Sequence, residues 1–393
     1  MPTPFLFLIP FAIFIAHITL KVILRISPYF EKTKQYETIE GLRGFLAFFV
    51  FLHHASIWYF YSHGNAWQTP PSTLFWYLGS GSVIMFFMVT AFLFFAILNN
   101  SKDKPIDWLK FYISRFLRIA PLYYFLVFCM FFLVIIQTGF NLIQPLPDLI
   151  EDIIHWLMLS LLTLQNINGI DTELILSTVL WTLPYEWMFY FLLPLFALGL
   201  FQKKPPKYVW VFILVGLALL IKNMNLVVFF AFFCGAISVW ISKKDHLIRF
   251  SQTKVSSLVV LLLMSALIFF EVKPFSVFSI CILFICFVLI ASGTDLFGLL
   301  KLPTAKMLGN ISFGIYLSHM MVLYIFFKLI IGVQVISQFS ALEYCLLLLF
   351  LVPILTSICY LTYRLIELPF MSKSHAWTTL IRNKLKFSSK TSY

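Results

Sequence analysis

Residues 39–55 read IEGLRGFLAFFVFLHHA, an apolar run with Arg43 near its start and the pair His53 and His54 near its end. At ~1.5 Å per residue, a helix would place Arg43 and His54 roughly 16 Å apart along its axis. That separation is about half the thickness of a bilayer's hydrocarbon core. Because an arginine and a histidine at these depths are costly to bury, we interpret them as part of a functional site. An interfacial anchor beside two packing histidines is the alternative.

The composition excludes a water-soluble globular protein. Of the 393 residues, 61% are hydrophobic and only 11% are charged, as is typical of a polytopic helical membrane protein. The net charge of +12 suggests nucleic acid as a partner, but the basic residues lie in short segments between apolar runs. Membrane orientation explains that distribution better, so we expect membrane lipids and no nucleic acid as partners.

Apolar runs of membrane length predict an all-α, polytopic transmembrane bundle of about eleven helices. The predicted spans are 5–26, 42–62, 74–98, 119–138, 178–201, 208–222, 225–242, 255–271, 275–292, 308–331 and 341–364. Crossing the membrane at each span leaves only Lys222, Lys273 and Lys328 away from one basic face. The positive-inside rule then predicts that the N-terminus lies outside and the C-terminus in the cytoplasm.

Two stretches outside the spans carry further expectations. In the long outer connection Gly139–Ser177, the segment Ile153–Leu164 is apolar but too short to span. We expect an interfacial or re-entrant helix that helps to hold an extracytoplasmic substrate, or a structural cap over the bundle. The basic, Ser/Thr-rich tail from Ser372 is expected to be disordered beside anionic headgroups.

The cysteines and histidines show no metal-binding pattern. All six cysteines lie inside apolar runs without CxxC spacing, and no HExxH sequence occurs. We predict buried thiols, no disulfide and no metal site.

Glu186 and His319 are among the few ionisable residues predicted at membrane depth. Glu186 lies in WTLPYEWMFYFLLPL, and a carboxylate in apolar surroundings needs a partner or a proton. We expect that partner to be His54, since a carboxylate on one imidazole nitrogen orients the other for general-base catalysis. A packing carboxylate at a helix end is the alternative. His319 is either a second polar contact for the reacting group or a packing histidine.

Arg115 and Arg118 share one helical face in the segment FYISRFLRIAPLYY. Such a pair suits a phosphate-rich ligand, because each guanidinium binds phosphate through a fork of donors. Arginines at a membrane boundary are also a common signal of orientation, which is the alternative interpretation.

Four segments, taken in order, resemble the acyltransferase-3 family of integral membrane acyltransferases over about residues 38–366. They are IEGLRGFLAFFVFLHHA, RFLRIAPLYY, WTLPYEWMFYFLLPL and LGNISFGIYLSH. The residues that match the family's motifs are Arg43, His54, Arg115, Arg118, Glu186, Tyr316 and His319. One segment departs from the family, because Ile84 occupies the position of an aspartate and Thr90 and Ala91 replace a Ser-Gly pair. This departure puts in doubt any mechanism that needs the aspartate.

The resemblance implies a ten-helix core. On that basis residues 1–37 are an extra N-terminal transmembrane helix and linker, 38–366 the acyltransferase-3-like membrane domain, and 367–393 a basic cytoplasmic tail. It also implies a location in a bacterial inner membrane. Small residues on helix faces would permit a homo-oligomer.

The resemblance further implies an O-acyltransferase with acetyl-CoA as the expected donor. The acceptor would be a hydroxyl of an extracytoplasmic glycan or lipid-linked sugar, such as a surface polysaccharide or the O-antigen of lipopolysaccharide. His54 would deprotonate that hydroxyl or carry the acyl group itself. The expected roles are catalysis for His54, Glu186 and Arg43, coenzyme A binding for Arg115, Arg118 and Arg43, and further polar contacts for His53, His319 and Tyr316.

Two other functions are weighed against this one. A transporter or flippase would use Arg43, His54 and Glu186 as an ion or substrate pathway. Transporters often show internal repeats and broken helices in both halves, and the sequence shows neither. An inactive scaffold would account for Ile84 but not for the four retained motifs.

Overall fold

The fold is all-helical, as predicted. A computed structural model describes residues 1–27, 36–101, 106–200, 206–222 and 225–390. These residues form helices and turns, with only an isolated bridge between Ile167 and Ile170. Residues 28–35 of the predicted linker and 391–393 of the tail lie outside the described residues.

The principal helices number fifteen in the described residues. They are α1 (Pro4–Ile26), α2 (Glu37–Ser62), α3 (Thr73–Asn100), α4 (Trp108–Gln137), α5 (Leu146–Leu157), α6 (Glu173–Gly199), α7 (Lys207–Lys222), α8 (Leu226–Ile241), α9 (Asp245–Ser251), α10 (Lys254–Phe269), α11 (Val277–Ala291), α12 (Pro303–Asn310), α13 (Ser312–Ile331), α14 (Ala341–Thr362) and α15 (Ser374–Lys390). The chain divides into two compact units, Met1–Ala96 with Asn225–Cys359 and Ile97–Met224 with Tyr360–Tyr393.

Seven helical stretches are long and apolar enough to cross a bilayer. They are α1, α2, α3, α4, α6, α13 and the stretch Ala341–Lys384, and α8 with α9 would add an eighth as a pair bent by 101°. Each of the eleven predicted apolar runs coincides with helix. The protein is therefore an integral membrane helical bundle.

Helix α2 forms the centre of the first unit. In its most apolar window 72% of the residues are buried, against 22% for α1. Thr38 donates a hydrogen bond to the carbonyl oxygen of Ile290 at 2.7 Å, and Tyr344 donates one to the carbonyl oxygen of Ala55 at 2.6 Å. These bonds fix both ends of the segment that carries Arg43 and His54.

Helix α12 packs very closely on the start of α2. A Cβ atom built on Gly309 would lie only 2.1 Å from the carbonyl oxygen of Glu40. Only glycine permits this approach, as is common where membrane helices pack through small residues.

Helix α4 begins earlier than the predicted span 119–138. Asp107 caps it by accepting a hydrogen bond from the amide of Lys110 at 3.1 Å, so the helix starts at Trp108. The apolar-run criterion missed this start, because it discounts the charged residues of the first turns. Arg115 and Arg118 therefore lie inside the helix.

The helix predicted at Ile153–Leu164 has different bounds. The observed helix α5 begins at Leu146, after Pro145, and ends at Leu157. Leu159 and Ser160 have positive φ angles of 53° and 61°, which end the helix there. The prediction followed the apolar residues alone and overlooked the favourable position of proline in a first turn.

The expectation of a disordered tail is wrong for its described part. Helix α15 packs against α4, and Arg382 forms an ion pair of 2.6 Å with Asp107. Thr378 is buried. These contacts join residues far apart in the chain, so the composition of the tail could not reveal them.

Candidate functional site

Three histidines lie together in the first unit. His53 and His54 are on α2, and His319 is on α13. The ring centroids of His53 and His54 lie 5.0 Å apart, as do those of His54 and His319. All three side chains are buried, and His319 is fully inaccessible.

The hydrogen bonds of His319 and His54 determine which ring nitrogens carry protons. Nδ1 of His319 lies 2.8 Å from the carbonyl oxygen of Ile315, so a neutral His319 donates from Nδ1 and has a lone pair on Nε2. That Nε2 lies 3.0 Å from Nδ1 of His54, which also lies 3.1 Å from the carbonyl oxygen of Val50. Nδ1 of His54 must therefore carry the proton. The lone pair of His54 is on Nε2, the nitrogen that can act as a base or nucleophile.

His53 is held in place by backbone and packing contacts. Its Nδ1 lies 2.7 Å from the carbonyl oxygen of Phe75. Gly79 packs against the ring so closely that a Cβ atom there would lie 2.4 Å from it. These contacts fix the position of the His53 ring beside His54.

Arg43 and Tyr316, the other predicted site residues of this unit, have local partners. Arg43 forms a 3.1 Å ion pair with Glu40, which is buried. The ring of Tyr316 lies edge-on to His319 at 6.3 Å. Glu40 was not among the predicted site residues, although its spacing of three residues from Arg43 on a helix was a usable signal.

The second unit contains a separate polar cluster around Tyr190. The hydroxyl of Tyr190 donates a hydrogen bond to the carboxylate of Glu186 and also hydrogen-bonds with Arg115. Nη1 of Arg118 lies 3.2 Å from Sδ of Met371. Tyr190 was not among the predicted site residues, although Tyr190 follows Glu186 by four residues on the same helical face.

Within the first unit, His54 has an orienting partner that was not predicted. The expected contact of the Glu186 carboxylate with one imidazole nitrogen of His54 joins residues of different units and stays a prediction. In the described residues, both hydrogen bonds of His54 use Nδ1, and they involve Val50 and His319. A neutral imidazole therefore orients His54, and Glu186 bonds to Tyr190.

No group of three or more His, Cys, Asp or Glu side chains in the described ranges could hold a metal ion. The six cysteines are free thiols, but the prediction of burial is wrong for Cys281, which is exposed, and for Cys129, which is half-buried.

A known protein family matches most of the chain. A family model described as an acyltransferase domain, that of the acyltransferase-3 family, matches residues 36–364. Helices α1 and α15 lie outside the match. No curated protein and no solved structure matches the chain. Since the family match covers most of the sequence, the chain belongs to the acyltransferase-3 family and is an integral membrane acyltransferase.

Proposed function

We propose that this acyltransferase transfers an acyl group from acyl-CoA to a hydroxyl group of an extracytoplasmic glycan. The proposed acyl group is acetyl. The glycan would be a surface polysaccharide or an O-antigen in a bacterial inner-membrane pathway. The observation that carries the proposal is the hydrogen bond between Nδ1 of His54 and Nε2 of His319. It supports a role for Nε2 of His54 as the reacting base.

In the direct route, Nε2 of His54 takes the proton of the acceptor hydroxyl while the hydroxyl oxygen attacks the thioester carbon. The carbon–sulfur bond then breaks and coenzyme A leaves as a thiolate. The His54 imidazolium gives its proton to that thiolate. Acyl-CoA and an alcohol become an ester and coenzyme A. Ile84 is buried, and this route needs no acid at its position.

In the covalent route, Nε2 of His54 attacks the thioester itself and releases the thiolate. The acceptor hydroxyl then attacks the acyl-imidazole, and its proton ends on the thiolate. Rapid-quench mass spectrometry of the protein with acetyl-CoA alone separates the two routes. An acetyl group on His54 in that sample would support the covalent route, and an unmodified His54 would support the direct one.

Arginine side chains are the proposed ligands of the donor's phosphates. Arg115 and Arg118 lie within one turn of α4, and a guanidinium keeps its charge and offers several donors. Arg43 is the third candidate, since its ion pair with Glu40 uses only Nη1. Loss of these charges should raise the KM for acetyl-CoA more than it lowers kcat.

The test is mass spectrometry of surface glycans from cells that express the wild type, no protein, His54→Ala or His246→Ala. His246 is an exposed histidine of α9 and serves as the matched control. We expect one acetyl mass increment per modified sugar with the wild type and His246→Ala only. Full modification in cells with correctly inserted His54→Ala would refute the assignment of His54.

A further inference from the structure

A cleft on the first unit has none of the three histidines in its lining. It is bordered by α1, α2 and the segment that contains α12, and its volume is about 410 Å³. Pro10 and Ile13 of α1, Phe45 and Phe48 of α2, and Leu308 of α12 are among its apolar walls. The family match begins at residue 36, so the wall that α1 contributes to this cleft lies outside the matched domain.

The surroundings of the cleft point to a lipid as its occupant. Helices α1 and α2 are both membrane-spanning candidates, and α1 is largely exposed along its length. A cleft between such helices opens onto lipid acyl chains. Its volume lies within the ~300–1,000 Å³ typical of sites that enclose a small molecule.

One polar pair lies inside this apolar cleft. Nδ1 of His17 is 2.7 Å from Oγ1 of Thr304, and both residues line the cleft. In the described residues, Nε2 of His17 makes no hydrogen bond. A polar group at membrane depth with a nitrogen still available can bind a polar atom of a ligand whose body is hydrocarbon.

Two cations that have no ion pair among the described residues follow the cleft along α1. Lys21 and Arg25 come one and two turns after His17, and both are exposed without an ion pair in the described part of the chain. The other nearby cations are neutralised, because Lys306 pairs with Glu37 at 3.0 Å and Lys301 with Asp295 at 3.2 Å. Among the residues that the structure describes, the excess positive charge at this end of the cleft therefore belongs to α1.

We infer that the cleft binds an anionic phospholipid, with an acyl chain between α1, α2 and α12 and the phosphate at Lys21 and Arg25. Basic residues beside a cleft between membrane helices are a recognised arrangement for anionic headgroups. The inference does not depend on the proposed catalytic function. It gives α1 a role in lipid binding.

The experiment is native mass spectrometry of the full-length protein with equal amounts of dioleoyl phosphatidylglycerol and dioleoyl phosphatidylcholine. We expect retained phosphatidylglycerol to dominate, with a preference of roughly 5-fold for each basic residue. Lys21→Ala with Arg25→Ala should bring the ratio of the two bound lipids close to one. The matched control is Lys207→Ala with Lys222→Ala, which removes two exposed lysines at the ends of α7 and should leave the ratio unchanged.

A second variant tests the cleft itself. Ile13→Trp places a larger side chain in the cleft and should reduce retention of both lipids while Lys21 and Arg25 stay in place. Equal retention of the two lipids by the wild type would overturn the inference. So would an unchanged ratio after loss of both charges, or full retention of phosphatidylglycerol by Ile13→Trp.

Discussion

Nδ1 of His54 lies 3.0 Å from Nε2 of His319, and this contact determines which nitrogen of His54 has a free lone pair. The carbonyl oxygen of Ile315 keeps the proton of His319 on Nδ1, so His319 accepts from His54. In many hydrolases a carboxylate holds the catalytic histidine in this way. An imidazole stabilises the positive charge on His54 less well than a carboxylate would, but it can itself accept the proton.

The first prediction concerns His319 as a positioning residue. His319→Leu removes the acceptor for Nδ1 of His54 and should lower kcat by about 10- to 100-fold, by analogy with loss of the hydrogen-bond partner of a metal-bound histidine. His319→Gln retains an amide oxygen that can accept the same hydrogen bond, so it should keep most of the activity. The measurement is the rate of coenzyme A release from acetyl-CoA in the presence of acceptor.

The pH profile separates positioning from simple packing. Activity should fall toward acidic pH, because protonation removes the lone pair of His54 Nε2. If His319 positions His54, the midpoint of that fall should move in His319→Leu and return toward its original value in His319→Gln. An unchanged midpoint with a uniformly lower rate would mean that His319 only fills space.

The second prediction concerns Tyr190, which connects Glu186 to Arg115 in the second unit. Tyr190→Phe removes the shared hydroxyl and should cost about 1–3 kcal/mol of stability, as expected when buried polar groups lose a partner. If the proposed role of Arg115 is correct, the KM for acetyl-CoA should also rise.

The control for Tyr190→Phe is Tyr61→Phe. Tyr61 makes ring contacts with Trp58 and Trp67, and its hydroxyl makes no hydrogen bond in the described residues. Thermal unfolding in detergent and donor titrations should show little change for Tyr61→Phe. Equal effects of the two substitutions would contradict a specific role for the Tyr190 hydroxyl.

The sequence predicted the transmembrane helices well, because the length of an apolar run is a local property that the bilayer fixes. Helix starts that depend on one cap were predicted less well, as Asp107 and α4 show. The tail was misjudged because the ion pair of Arg382 with Asp107 joins distant parts of the chain.

The structure brings together some of the predicted site residues through contacts that the sequence did not predict. The motif spacing selected His54 and His319, but their hydrogen bond connects positions 265 residues apart and depends on the packing of α2 against α13. No local rule gives such a pairing. The local partners Glu40 and Tyr190 follow from helical spacing and could have been predicted.

The third prediction concerns the close packing of α12 on α2. Gly309→Ala would place a Cβ atom 2.1 Å from the carbonyl oxygen of Glu40, so one helix must move. Overpacking of this kind typically costs about 1–3 kcal/mol, and we expect a lower Tm. The shift would also disturb the pair of Glu40 and Arg43.

Gly199→Ala is the matched control for Gly309→Ala, because a Cβ atom on Gly199 has no neighbour within 4 Å among the described residues. Alanine favours helix over glycine by up to ~1 kcal/mol, so Gly199→Ala should be neutral or stabilising. Thermal unfolding of both variants checks the prediction. An unchanged Tm for Gly309→Ala would show that α2 and α12 are not packed as described.

The last prediction concerns the pH dependence of the ion pair between Asp107 and Arg382. Partial burial raises the pKa of Asp107. The hydrogen bonds from Arg382 and from the amide of Lys110 together lower this pKa by more than burial raises it, so it lies below the usual value. A carboxylate with a depressed pKa stabilises the fold above its unfolded pKa of ~3.9, and this stabilisation is lost as the pH falls through the folded pKa.

Because both side chains are more than two-fifths exposed, we expect Arg382→Ala to cost less than ~1 kcal/mol at neutral pH. The cost should shrink toward zero as the pH falls below ~4. Thermal unfolding of the wild type and Arg382→Ala across this range measures it, and a difference that grows on acidification would contradict the pairing. Hydrogen exchange at neutral pH should show protected amides in α15 of the wild type, since its packing on α4 does not rest on this pair alone.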